Sequence, residues 1–213
     1  MLYFGRWCRP TLIAWTSELE KYRDVFESAA QECVESLPGF NFRLLPCGED
    51  FKDFKDTDSY IRNYIRMDQD RGWVIRSDFV TDDLTWEIMD LELRNITIVF
   101  TRQPISGEND RRYDDYDTRA AIVSLEPCRD DEEIRKAVPV MLKHALGHIL
   151  LGYDEEPHCS SPYCAMHAMT QREFILSFPP YTAKESCFCE KCTQKMREGR
   201  IWVNEPSFIS EYN

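Results

Sequence analysis

The alternation of apolar and polar positions divides the first two thirds of the chain into short segments of opposite period. Thr11 to Trp15 (TLIAW) is apolar and β-prone, and Ser17 with Glu20 three places on has the form of a helix capping box. Leu19, Tyr22, Phe26, Ala29 and Cys33 then share one helical face, with Gly39 as the stop. Phe40 to Leu45 alternates as a strand, while Tyr60, Ile61, Tyr64 and Ile65 predict a helix between Asp56 and Met67. A second short helix is expected from Asp82 to Leu93. Asn95 to Arg102 (NITIVFTR) is the strongest strand, with Ile96, Ile98 and Phe100 on one face and β-branched residues between, and it belongs inside a sheet. Pro104 to Thr118 is polar and Asp-rich, the composition of an exposed loop. Arg119 to Leu125 (RAAIVSL) returns to strand character. Acids from Asp130 to Glu133 suit the start of a helix that runs from Glu133 to about Leu151, with a kink or a fresh start expected at Pro139.

This order, β-α-β and then β-β-α, predicts one mixed α/β (α+β) domain over residues 1–213. Its first part, 1–152, carries sheet and helices; the rest, 153–213, is Cys-rich. No stretch approaches the roughly 18 to 20 apolar residues of a membrane span, and the start lacks the order of a secretion signal. The reading is a soluble, cytoplasmic protein, monomeric by default, that engages no membrane. A formal charge of -12 argues against nucleic acid, since nothing clusters lysine and arginine as a phosphate backbone requires. Nine cysteines, five of them between Cys159 and Cys192, point to reduced thiols and metal rather than to a disulfide framework.

The candidate chemistry begins in KHALGHILLGYDEEPHC. His144 and His148 lie one helical turn apart, so both imidazoles can face one metal ion. Such a pair is a weak signal alone, but only four histidines exist, and His158 follows just beyond Gly152, a residue suited to ending the helix. Two ligands from a helix and a third from the returning loop describe a three-ligand zinc with an open position. Cys159-x4-Cys164 and Cys189-x2-Cys192 have the spacing of a structural zinc held by four thiolates, leaving Cys187 as a bystander. The cofactor expectation is therefore two zinc ions, one catalytic and one structural.

Together these residues resemble the archaemetzincin family of zinc metallopeptidases, whose motif runs HExxHxxGxxHCx4CxM with a later CxxC. The matching positions are His144, His148, a glycine, His158 joined to Cys159, Cys164, Met166, Cys189 and Cys192. The resemblance is strong from about Asn95 to Met196. It implies a metzincin-like catalytic domain with a twisted mixed sheet, an active-site helix and a C-terminal part clamped by a four-cysteine zinc. It also implies Arg119 to Leu125 as an edge strand that pairs with a peptide or protein substrate, and Met166 as a hydrophobic floor below the ligands.

Departures from the motif define the expectations most open to test. Ala145 stands where the family has the glutamate that acts as general base, so the chain should bind zinc yet hydrolyse peptides poorly or not at all. Survival of all the ligands favours a deliberate replacement over a natural pseudopeptidase that binds peptides without cutting them. The interval to His158 is four residues longer than the motif, Asp154 holds the strict position six after His148 and Glu155 stands three after Gly152, so three candidates compete. His158 is chosen and Asp154 is the first alternative third ligand. His167 is expected to be exposed or hydrogen-bonded rather than a ligand. A third reading keeps only a structural zinc in the cysteines, with incidental histidines.

Overall fold

The computed structural model describes residues 11–36, 41–51, 54–70, 72–76, 97–106, 111–112, 114–116, 120–151, 159–162, 164–167 and 188–198. The helix expected at 82–93 lies outside them, as does Cys187.

Five strands form the main sheet: β1 (Thr11–Trp15), β2 (Phe42–Leu45), β5 (Thr97–Thr101), β8 (Asp114–Tyr116) and β9 (Ala120–Ser124), in the order β2-β1-β5-β9-β8. The strands β2, β1, β5 and β9 are mutually parallel, and β8 runs antiparallel along β9. Side chains on the inner strands alternate between two cores. Ile13, Trp15, Ile98, Phe100, Ala121 and Val123 join the larger cluster with the helices, and Ala14, Val99 and Ile122 join the smaller one. Burial on both faces explains why TIVFT and AAIVS are continuous apolar runs rather than alternating ones.

The larger core is closed by α1 (Arg23–Ser36) and α3 (Asp131–Leu151). Phe26 on α1 stacks on Trp15 at 4.7 Å and meets Phe100 edge-on at 5.0 Å, joining helix and sheet through three buried rings. Polar links reinforce the contact of α3 with α1 and with the Ser17–Tyr22 turn before it. Lys21 Nζ and Tyr22 Oη donate to Asp131, Arg135 pairs with Asp24, and buried Lys143 donates to Glu32 at 2.6 Å. The smaller core gathers Phe51, Tyr60, Ile61, Ile75 and Ile105 under the second sheet, β3-β4-β6-β7, made of β3 (Ile65–Asp68), β4 (Gly72–Arg76), β6 (Ile105–Ser106) and β7 (Arg111–Arg112).

Several expectations change here. The segment at Ser17–Tyr22 is a 3-10 helix, and its capping box is not made. Glu20 instead accepts from Trp15 Nε1 at 2.8 Å and from the Cys47 amide, while Ser17 gives its N–H and O–H to Asp58. Tertiary partners outweigh the local ones. The helix near residue 60, α2 (Thr57–Asn63), is capped by Asp56 and stops before Ile65, which opens the β3–β4 hairpin. The stretch read as loop, 104–118, contributes β6, β7 and β8. Consequently the strand within Arg119 to Leu125 is not the sheet edge: β9 is paired on both sides, with Asp115 opposite Ile122, and among the described residues β8 is the edge. Nor does α3 restart at Pro139, through which it runs unbroken. The lost hydrogen bond is outweighed by burial of Ala137, Val138, Met141 and Leu142 around the turn. Its start is capped reciprocally, Asp130 accepting from the Glu133 amide and Glu133 from the Arg129 amide.

Candidate metal centre

Helix α3 presents His144 and His148 from its last two turns, and both are buried, at 8% and 1% exposure. Their Nε2 atoms converge to 2.9 Å, with the rings nearly perpendicular at 83°. Two imidazole nitrogens on one tetrahedral zinc stand about 3.3 Å apart, given Zn–N of about 2.0 to 2.1 Å. The observed pair is within a few tenths of an ångström of that spacing. His144 is oriented further: its Nδ1 lies 2.6 Å from the Ala165 carbonyl oxygen. A carbonyl can only accept, so Nδ1 carries the proton and Nε2 keeps its lone pair for a cation.

The third-ligand candidates, His158 and Asp154, lie outside the described residues, as does Gly152. α3 ends at Leu151, immediately before that glycine. Ala145 is described and is fully buried within the larger core. A methyl group there offers no proton acceptor.

The four cysteines are brought together. Sγ atoms of Cys159, Cys164, Cys189 and Cys192 all lie within 4.8 Å of one another, close to the roughly 3.8 Å between sulfurs on one zinc with Zn–S of about 2.3 Å. Cys159 and Cys164 come from the 159–167 turn; Cys189 precedes α4 (Glu190–Glu198), and Cys192 lies in its first turn. The amides of Met166 and Cys189 both donate to Cys164 Sγ, at 3.4 and 3.3 Å, the environment that favours a thiolate. Burial pushes the Cys164 and Cys192 thiols up. For Cys189 burial acts in the same upward sense, but hydrogen bonds from the Cys192 amide and from the neighbouring thiols prevail and hold it below the usual thiol range. Metal uptake would therefore displace protons from Cys164 and Cys192.

Met166 is buried against α3. A Cβ on Gly147 would overlap Met166 Sδ and come within 2.9 Å of Phe188 Cε1. Gly147 thus admits both Met166 and Phe188 against α3. Replacing Gly147 by alanine is expected to lower stability by about 1 to 3 kcal/mol despite alanine's better helix propensity; a denaturant melt showing equal or greater stability would disprove this tight approach. Sequence reading passes over Gly147, although a glycine inside an apolar helical pattern is the sign of a close approach. It also misses Phe188 and the Ala165 carbonyl, the latter because a backbone acceptor carries no residue signature. His167 is hydrogen-bonded as expected, through Nδ1 to the Cys159 carbonyl at 2.9 Å.

Neither protein-family models nor curated proteins match this sequence. Solved structures do. The chain superposes on an archaemetzincin from Methanopyrus kandleri with a TM-score of 0.62 and 15% identity, over 92% of this chain and 97% of that one. It also superposes on an archaemetzincin from Archaeoglobus fulgidus, crystallised with malonate, with a TM-score of 0.52 and 16% identity, over 87% and 99%. The class is thus a mixed α/β fold with a cysteine quartet near its C-terminus. Within that class, the chain has the archaemetzincin-like fold.

Proposed function

We propose that the chain is a zinc metallopeptidase-type domain, one metzincin-like unit over 1–213, whose peptide hydrolysis is absent or nearly so while Ala145 holds the general-base position. The observation that carries this reading is the convergence of two buried Nε2 atoms on α3 with the proton of His144 fixed on Nδ1 by Ala165. His144 and His148 hold the catalytic zinc, completed by His158 or, as the alternative, Asp154. Cys159, Cys164, Cys189 and Cys192 hold the structural one. Zinc in the first site supplies a nucleophile from water near neutral pH and polarises a carbonyl oxygen. The chain's own contribution is to fix both imidazoles, bury their flanks and offer a strand edge for an extended peptide or protein substrate.

That edge is β8, since β9 is already paired on both sides. The proposed setting is the reducing cytoplasm, where the cysteine quartet stays reduced. No helix among the described residues is long and apolar enough to cross a membrane. The protein is proposed to act as a monomer, without nucleic acid.

Metal analysis of the purified chain tests the centre. Two zinc ions per chain are expected, falling to one in a His144→Ala variant that keeps its fold; one ion in the unmutated chain would leave only the structural cysteine site. The second reading is a pseudopeptidase that grips peptides without cutting them, and the observation favouring it is the complete burial of Ala145 in apolar surroundings.

A further inference from the structure

The two candidate metal sites share one short turn of chain. Cys164 gives its sulfur to the quartet, the next residue, Ala165, gives its carbonyl to His144 Nδ1, and the next, Met166, packs under Gly147. None of the turn's described residues belongs to a helix or a named strand. It is held by the Cys159 amide to the Met166 carbonyl at 2.8 Å, by the His167 amide to the Cys164 carbonyl at 2.9 Å, and by His167 Nδ1 to the Cys159 carbonyl. A further restraint is the quartet itself, which gathers Cys159 and Cys164 with Cys189 and Cys192 of a different segment.

We infer that the cysteine site is a positioning device for the histidine site: a metal held by the four thiolates locks the 159–167 turn, so that the Ala165 carbonyl fixes His144 for ligation and the two sites bind metal cooperatively. The inference rests on the proposed two-metal reading. A partner that accepts the distal N–H of a ligand histidine keeps the ring in place and raises its basicity, and loss of such a partner typically lowers metal affinity about 10- to 100-fold. Here that partner is a carbonyl on a turn whose position depends on another site's occupancy, which makes the orienting bond conditional. Coupling of this kind is reciprocal, so filling the histidine site must tighten the cysteine site by the same factor. His167 is then a positioning residue: it ligates neither metal but fastens the turn.

The experiment uses the full chain and zinc alone, titrated by competition with a chromophoric chelator. In the unmutated protein two sites are expected, with the histidine site filled second. In Cys189→Ser/Cys192→Ser, affinity at the histidine site is expected to fall about 10- to 100-fold. His167→Ala, which leaves all four thiols, is expected to weaken it in the same direction by a smaller factor. NMR of 15N-labelled histidine supplies a readout independent of affinity: the His144 Nδ1–H resonance, protected by Ala165, is expected in the zinc-loaded unmutated chain, and to broaden or vanish in both variants. Histidine-site affinity unchanged in either variant, with that resonance intact, overturns the inference while leaving the two-metal reading in place. Binding of a single zinc by the unmutated chain overturns both. If the double serine variant does not fold, His167→Ala decides alone, and an unchanged affinity there counts against the coupling.

Discussion

Ala145→Glu is expected to raise zinc-dependent peptide hydrolysis by about 10² to 10⁴, the usual worth of a positioned general base. Position 145 adjoins His144 on α3, and its methyl is fully buried in the larger core. A glutamate there must lay its methylenes along the apolar wall and bring its carboxylate out beside the two imidazoles. There a bound zinc would match the carboxylate's charge, and the carboxylate would be placed to take a proton from water. If instead the side chain stays among its apolar neighbours, an unpaired buried carboxylate lowers stability and no activity appears. The assay is a peptide library with the zinc-loaded variant, read beside a thermal melt. A stable, zinc-loaded Ala145→Glu chain that binds peptides and cuts none would sink the peptidase reading and favour the binding module.

Stripping metal from the cysteine quartet should produce the largest loss of stability. A ligand present at about a thousand times its dissociation constant stabilises the native state by about 4 kcal/mol, which for a chain of this size is a change of roughly 8 to 16 °C in melting temperature. The quartet also joins the α4 segment to the 159–167 turn, so its release frees Phe188 and Cys192 from the larger core. Thermal unfolding with zinc and with excess chelator measures this. A midpoint that does not move after mass spectrometry shows the metal gone would mean that the quartet clamps nothing.

The elements legible in the sequence are those whose burial is complete and whose pattern is long. TIVFT and AAIVS read as strands because both faces are buried, and α3 because helical spacing persists for 21 residues. The segments misread are short and lean on distant partners. Ile65 continues the helical spacing of Tyr60 and Ile61 yet pairs with Ile75 across a hairpin, and Ser17 answers to Asp58, far along the chain. β8 escapes a sequence reading because three residues of acidic, loop-like composition acquire strand geometry only by hydrogen bonding to β9. The candidate site shows the same division. His144, His148 and the four cysteines are readable as residue types at spacing, whereas Gly147 and the Ala165 carbonyl matter only through what approaches them in space.

The polar rungs that tie α3 to the 17–36 segment carry a consequence for the order in which the two are made. Lys21 and Tyr22 meet Asp131, Asp24 meets Arg135 and Glu32 meets Lys143, each across 109 to 111 residues of chain. Chains emerge from the ribosome N-terminus first, so α1 is made well before α3, its buried-side partner. Glu32 then receives a lysine whose side chain is only 3% exposed, one residue before His144. The histidine helix is seated by a segment made before it, while Cys189 and Cys192 are made after both. Completion of the cysteine quartet therefore follows the seating of the histidine helix, and a chain truncated before Cys189 would carry a seated histidine pair with no quartet to steady it.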